Sequence, residues 1–308
     1  MMQNTENVIA SEAGYSRPEY LVETDWLEKN LDAPTLRIFD CAAQPAPNPD
    51  INLRKKFPLK PQSGLALYEE IHIPGAGFID VPGDLTDLSS EFPMMMPPAE
   101  QVVDVMARSG IGDSTRVVLY SSTNPMWATR VWWMLRAVGF ENASVLNGGL
   151  KKWVNESRQT SDVSFVYGRE KFTAKYRPEV FVDKKIVRAA LNSPQMLLIH
   201  ALTPSVYDGS NDALVFGRRG RIPGSVNIPS GHLHHPESGT YLPAHQLQEI
   251  FKAVNADKAE QIITYCGGAV NATNNAFALC LLGYENVSVY DGSMSEWGND
   301  ESLPIEIG

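Results

Sequence analysis

The feature that most constrains this chain is a repeat of its own sequence. Residues 266–297, CGGAVNATNNAFALCLLGYENVSVYDGSMSEW, lie on residues 122–153, STNPMWATRVWWMLRAVGFENASVLNGGLKKW, at a gap-free offset of 144 positions. Ala272 and Thr273 meet Ala128 and Thr129, Gly283 meets Gly139, Gly292 meets Gly148 and Trp297 meets Trp153. Upstream, RIPGSVNIP (221–229) echoes HIPGAGFID (72–80) at a slightly different offset, so the loops differ in length. A period this long means two copies of one domain, not the short units of a solenoid. At 308 residues the chain has room for both.

Each copy alternates short apolar runs with amphipathic segments. In the first copy LRIFDC, RVVLYSS and ASVLNGG predict strands. DWLEKNL (capped by Thr24 or Asp25), PPAEQVVDVMARSG and PMWATRVWWMLRAVG predict helices. In the second, MLLIHA, QIITYC and VSVYDGS predict strands, and DKKIVRAALN, PAHQLQEIFKAVNA and AVNATNNAFALCLLG predict helices. Short buried strands separated by helices imply an α/β fold, each domain a mainly parallel sheet flanked by helices. The polar, non-periodic NESRQTSDVSFVYGRE (155–170) reads as the linker, which puts the domains at 1–160 and 161–308.

The chemistry concentrates on Cys266, expected between the end of strand QIIT and the start of a helix. In open α/β sheets ligands bind at the carboxyl ends of the strands, and helix N-termini there offer unpaired N–H groups to an anion. Gly267 and Gly268 would let the backbone curl so that its amides approach the sulfur, lowering the thiol pKa from about 8.5. Cys280, within FALCLLG, and Cys41, closing the first strand, read as core packing. Three cysteines without a CxxC pair form neither a disulfide framework nor a zinc site, which suits a reducing, cytoplasmic setting. A cysteine phosphatase would need an arginine six residues after its nucleophile. That position is Ala272, and no arginine lies between Cys266 and Gly283.

The tandem repeat, the HIPGA and RIPGS segments, the YCGGAVNA loop and the VYDGSMSEW ending together resemble the rhodanese-like sulfurtransferases, from about Tyr20 to Leu303. More narrowly, the chain resembles the two-domain thiosulfate and 3-mercaptopyruvate enzymes. The resemblance implies two tandem rhodanese-like domains, the first non-catalytic with Ser122 at the cysteine position. It implies sulfane-sulfur transfer through a Cys266 persulfide, surrounded by the loop Gly267, Gly268, Ala269, Val270, Asn271 and Ala272, with no cofactor and no metal. The donor would be a small anion, 3-mercaptopyruvate or thiosulfate, and the acceptor cyanide, a thiol or a thioredoxin-like protein. The alternative is a non-catalytic sulfur-sensing or binding protein that retains the fold.

Two departures bear on the donor. The family's Asp-x-Arg after the first strand of the second domain reads His200-Ala201-Leu202, so its anion-binding arginine is absent. Arg218, Arg219 and Arg221 in GRRGRIPG could compensate, Arg219 and Arg221 being the better candidates, or form a solvated surface. Gly267-Gly268-Ala269 carries no cation and is nearer the mercaptopyruvate pattern. His72 matches a position facing the domain interface in those enzymes, and could assist proton transfer or simply bond to backbone in its turn. His232, His234 and His235 read as a solvated loop, lacking further ligands spaced for zinc. Trp132 and Trp133 read as packing and Trp127 as a possible pocket wall. A net charge of −10 argues against nucleic-acid or anionic-membrane partners, no apolar run reaches membrane-spanning length, and the polar start lacks a secretory signal.

Overall fold

The computed structural model describes residues 13–308; the first twelve residues, with the polar start of the chain, lie outside the described region. Two five-stranded sheets form, each with parallel pairing throughout. The first holds β1 (Leu21–Val22), β2 (Leu36–Asp40), β5 (Gly77–Phe78), β6 (Arg116–Tyr120) and β7 (Ala143–Leu146), in the order β1-β7-β6-β2-β5. The second holds β8 (Phe181–Val182), β9 (Met196–His200), β10 (Val226–Asn227), β11 (Gln261–Tyr265) and β12 (Val287–Tyr290), in the order β10-β9-β11-β12-β8. The orders are equivalent, so the sequence repeat is a repeat of topology. A short antiparallel pair, β3 (Ala43–Gln44) with β4 (Gln62–Ser63), is added to the first domain.

Helices cover the sheets: α1 (Thr24–Lys29), α2 (Leu65–Glu70), α3 (Val81–Asp84), α4 (Ala99–Arg108), α5 (Pro125–Ala137) and α6 (Gly149–Asn155) in the first domain. The second has α7 (Lys184–Ala190), α8 (Pro204–Tyr207), α9 (Ala244–Ala253), α10 (Val270–Leu281) and α11 (Ser293–Trp297). The central strands are buried along almost their whole length, which is why they read as continuous apolar runs. The N-cap of α1 is Glu23, one residue before the Thr24 expected from the sequence, and its side chain makes no capping bond. Instead Glu23 meets Lys152 at 2.9 Å and Asn147 at 2.7 Å, tying α1 to α6.

The linker is longer than its composition suggested, and it is ordered against the first domain. Tyr167 donates its hydroxyl to Gly75 O, while Glu170 N, Lys175 N and Arg177 N donate to Ala107 O, Val138 O and Ala137 O. Residues 161–177, which the sequence placed with the second domain, therefore run along the first. Their polar composition hides this, because much of the strap is held by backbone bonds, with Tyr167 packed on Phe39 and Phe172 on Phe140.

The two domains meet through α5 and α10. Thr129 Oγ1 and Thr273 Oγ1, related by the repeat, lie 3.0 Å apart in full burial. Contact between equivalent residues places the local two-fold axis between them, as in an isologous dimer interface. Trp132 meets Phe277 edge-on at 4.9 Å, and Trp133 donates its indole N–H across the boundary to Val180 O. Beside the axis, fully buried Arg130 of α5 directs both terminal nitrogens at Asp291 Oδ1, each at 3.0 Å, and Nη2 also to Met94 O at 2.6 Å. Removing one partner of such a pair strands a buried charge. Arg130→Ala is expected to cost about 3–5 kcal/mol of unfolding free energy, measured by urea denaturation; a cost below about 1 kcal/mol would show that the pair carries little of the interface.

Candidate active site

β11 ends at Tyr265 and α10 begins at Val270, so Cys266, Gly267, Gly268 and Ala269 form the turn at the carboxyl edge of the sheet. Val270, Asn271 and Ala272, named both with the loop around the sulfur and within the predicted helix AVNATNNAFALCLLG, are the first turn of α10. That placement matters, because their backbone N–H groups are the unpaired donors of a helix N-terminus. The amides of Ala272, Gly268, Asn271 and Gly267 all act on the Cys266 sulfur and stabilise its charged form. Burial acts the other way and is the larger effect, so the thiol pKa is raised. The lowering expected from the sequence is thus overturned: the amide cradle is present, but Cys266 is only 1% exposed and no cation accompanies the amides.

The glycines do a different job from the one expected. The left-handed residue is Ala269, at φ 55°, while neither Gly267 nor Gly268 has positive φ. Gly267 is required by a neighbour: a Cβ there would stand 2.2 Å from Cζ of Phe216. The segment after β12 clamps the turn from below. Ser293 Oγ accepts from Cys266 N at 3.1 Å and Ala269 N at 3.2 Å and donates to Tyr290 O. Met294 N and Ser295 N donate to Cys266 O and Gly267 O. Sequence reasoning used this DGSMSEW segment only as a motif and missed Ser293, whose own φ of 49° is a tertiary feature that no local pattern announced.

The first copy builds the equivalent turn differently. Tyr120 and Tyr265 end the equivalent strands, and their hydroxyls accept from Ile73 N and Ile222 N. Counting from these tyrosines puts Ser121, not the expected Ser122, level with Cys266. One extra residue at the start of α5 restores the 144 offset by Thr129 and Thr273. Ser121 Oγ accepts from Thr123 N and Asn124 N, occupying the place of the sulfur. The head of α5 is closed by the Asn124 side chain, which accepts from Met126 N, and by Pro125, which has no N–H. At the matching cap of α10, Ala269 makes no side-chain bond, leaving the amides to the sulfur.

Cys266 opens onto a pocket of about 130 Å³ between the domains. Leu59, Pro61, Met94, Met126 and Trp127 come from the first domain, and Leu202, Leu214 and Phe216 from the second. Among the described residues no charged side chain lines it. The arginines expected to compensate for Leu202 are engaged elsewhere. Arg218 donates to the carbonyls of Trp297, Gly298, Asp300 and Leu303. Arg219 pairs with Asp212. Arg221 pairs with Glu306, donates to Gly308 O and lies over the Tyr207 ring. Their loop is turned onto the C-terminal segment by the backbone exchange between Arg221 and Glu306, which the sequence spacing could not show.

His72 likewise stays out of the pocket. It is fully buried in the first domain, stacked on Tyr68, with Nδ1 2.6 Å from Tyr68 O and Nε2 3.1 Å from Val163 O. Of the three clustered histidines, His234 is bound to Asn274 and Gly239 O, and the described residues hold no group of three or more side chains that could ligate a metal. Cys41 and Cys280 are buried in the core, where burial pushes the Cys280 thiol up to about 11.

His200 ends β9 as Asp40 ends β2. Asp40 Oδ1 accepts from Ala42 N, and His200 Nδ1 accepts from Leu202 N. Burial, and secondarily the charge of Arg221, pushes the His200 pKa down to about 3. A folded-state pKa below the unfolded one means that the unfolded chain binds the proton first as pH falls. The resulting stability is intact above about 6.5 and is lost progressively towards pH 3. His200→Asn, which can still accept from Leu202 N, is expected to flatten that loss, read from denaturation midpoints across pH 7 to 4; an unchanged slope would remove His200 as its cause. In the turn itself, Gly267→Ala is expected to lower kcat/KM at least about tenfold, corresponding to about 1.4 kcal/mol of misplacement. Phe216→Leu in the same chain should recover part of it, and absence of any recovery would show that Phe216 is not the obstacle.

The profile of the rhodanese-like domain family matches residues 23–156 and 183–300. The sulfur carrier protein TtuD of Thermus thermophilus is 31% identical over 313 residues, covering 96% of this chain and 99% of that protein. The 3-mercaptopyruvate sulfurtransferase of Escherichia coli is 31% identical over 288 residues, covering 93% and 98%. The crystal structure of SseA from Escherichia coli, which carries the rhodanese fold of 3-mercaptopyruvate sulfotransferases, superposes with a TM-score of 0.74 at 30% identity, over 89% of this chain and 98% of that one.

Proposed function

The chain belongs to the rhodanese-like family, with two copies of its domain, and from that premise we propose that it is a sulfurtransferase working through a persulfide on Cys266. The observation that carries this reading is the convergence of four backbone amides on the one cysteine sulfur that opens onto the interdomain pocket. At rest the buried sulfur is a neutral thiol. As it attacks the outer sulfur of a donor, negative charge develops and the amides are already aimed at it, so stabilisation appears where the reaction needs it. The donor's bond to its transferable sulfur breaks, and the thiol proton leaves with the departing group. Cys266 then holds –S–SH, whose outer sulfur sits at the mouth of the same cradle. An acceptor thiol, cyanide or the thiol of a thioredoxin-like protein takes that sulfur and restores the cysteine.

The first domain supplies a pocket wall through Trp127 and Met126 and takes no covalent part. No cofactor enters these steps. Three free cysteines suit a reducing compartment such as the cytoplasm. No described helix is long and apolar enough to cross a membrane.

Cys266→Ser is expected to abolish thiocyanate formation from a sulfur donor and cyanide, while Ser121→Ala, at the equivalent place of the first copy, retains it. Intact-protein mass spectrometry should find one added sulfur on the native chain after donor exposure and its loss on adding a thiol. Full turnover by the Cys266→Ser protein would overturn the mechanism. An adduct that never transfers would make the chain a sulfur-binding protein.

A further inference from the structure

The pocket in front of Cys266 is lined mostly by apolar side chains and by no charged one, and Leu202 stands at the position where the resemblance implies an anion-binding arginine. Its walls are the side chains of Leu59, Met94, Trp127, Leu202, Leu214 and Phe216. Neither a guanidinium nor an ammonium reaches it: Arg218, Arg219 and Arg221 are committed to carbonyls and carboxylates outside. Lys60, between the two lining residues Leu59 and Pro61, is exposed, as alternation along an extended segment requires. The polar groups the walls do hold are neutral. Trp127 Nε1 and Ser295 Oγ are buried without a hydrogen-bond partner.

Bringing a carboxylate or a sulfonate into such a site strips its water and returns no opposite charge, a heavy penalty in a low-dielectric setting. A hydrocarbon chain gains there instead. At about 130 Å³ the pocket is close to the roughly 150 Å³ apolar cavity that accepts a benzene ring, which limits a guest to a few carbons. Resting on the Cys266 persulfide reading, we propose that this site takes its sulfur from uncharged, apolar persulfides, R–S–SH with R a short hydrocarbon group, in preference to small anionic donors.

The step balances without a further reactant. The Cys266 sulfur attacks the outer sulfur of R–S–SH, a new S–S bond forms, and the R–S to sulfur bond breaks with its electron pair going to R–S. The proton of the Cys266 thiol ends on that leaving sulfur. The products are Cys266–S–SH and R–SH, so no net charge enters or leaves the pocket. The raised thiol pKa of Cys266 suits such an exchange between neutral partners.

The test compares n-butyl persulfide with 3-carboxypropyl persulfide, which share the reacting group and differ in one terminal charge, alongside 3-mercaptopyruvate and thiosulfate. Persulfide formation on Cys266 is followed by mass spectrometry and thiol release by rate. The butyl compound is expected to show at least about tenfold higher kcat/KM than the carboxylated one, and Leu202→Arg to narrow or invert that ratio. Equal or higher kcat/KM for the carboxylated persulfide, or for 3-mercaptopyruvate, in the native chain would overturn the donor class while leaving the Cys266 mechanism standing. Failure of every donor to add sulfur to Cys266 would instead overturn the mechanism itself.

Discussion

The site depends on one buried ion pair. Arg130, on the helix beside the local two-fold axis, holds Asp291 of the other domain and the carbonyl of Met94 in its own. The second oxygen of Asp291 accepts from Met96 N at 2.7 Å. Met94 is a pocket wall, and Asp291 begins the segment whose Ser293 clamps the cysteine turn. A single guanidinium thus links the wall contributed by one domain to the floor beneath the sulfur in the other. Desolvating it is costly, and three hydrogen bonds and the face of Phe181, whose ring centroid lies 4.7 Å from the guanidinium carbon, offset part of that cost while Nε stays unpaired.

Around that link the two copies use the same fold differently. Both end their central strand in a tyrosine that secures the IPG turn, and both bury a tryptophan, Trp153 and Trp297, whose indole donates to a carbonyl a few residues on. They diverge in how the following helix begins. Asn124 and Pro125 satisfy or delete the donors in the first copy, whereas Ala269 leaves them free in the second. A backbone amide can serve a cap or a sulfur but not both at once, and this exclusion distinguishes the turn of one copy from that of the other.

The cysteine turn of the second copy lies in a setting that works against resting charge. Burial outweighs four amides at Cys266, and it pushes the His200 pKa down to about 3. Phe216 closes on Gly267, and Leu202 stands where the resemblance implied an arginine. The electrostatic support comes from oriented peptide groups alone. They are dipoles without net charge, strong where charge develops against them and weak at holding a charged group that must first shed its water.

Much of this was legible in the sequence. The repeat set two equivalent α/β domains, and the apolar runs located each central strand within a residue or so, because strands buried on both faces leave an unbroken hydrophobic record. The turn around Cys266 could be found because a cysteine beside glycines, at a strand-to-helix junction, is a local pattern. Tertiary structure alone decided what surrounds it. The course of residues 161–177, the binding of Arg218, Arg219 and Arg221 to the C-terminal segment, and the inward bonding of His72 all depend on partners far along the chain. The sign of the Cys266 shift was also beyond the sequence, since desolvation is set by everything packed around the sulfur, whereas the amides that oppose it are neighbours. The sequence by itself determined the repeated fold and singled out the Cys266 sulfur, both written in local patterns. Which charges reach that atom was decided only when distant segments met.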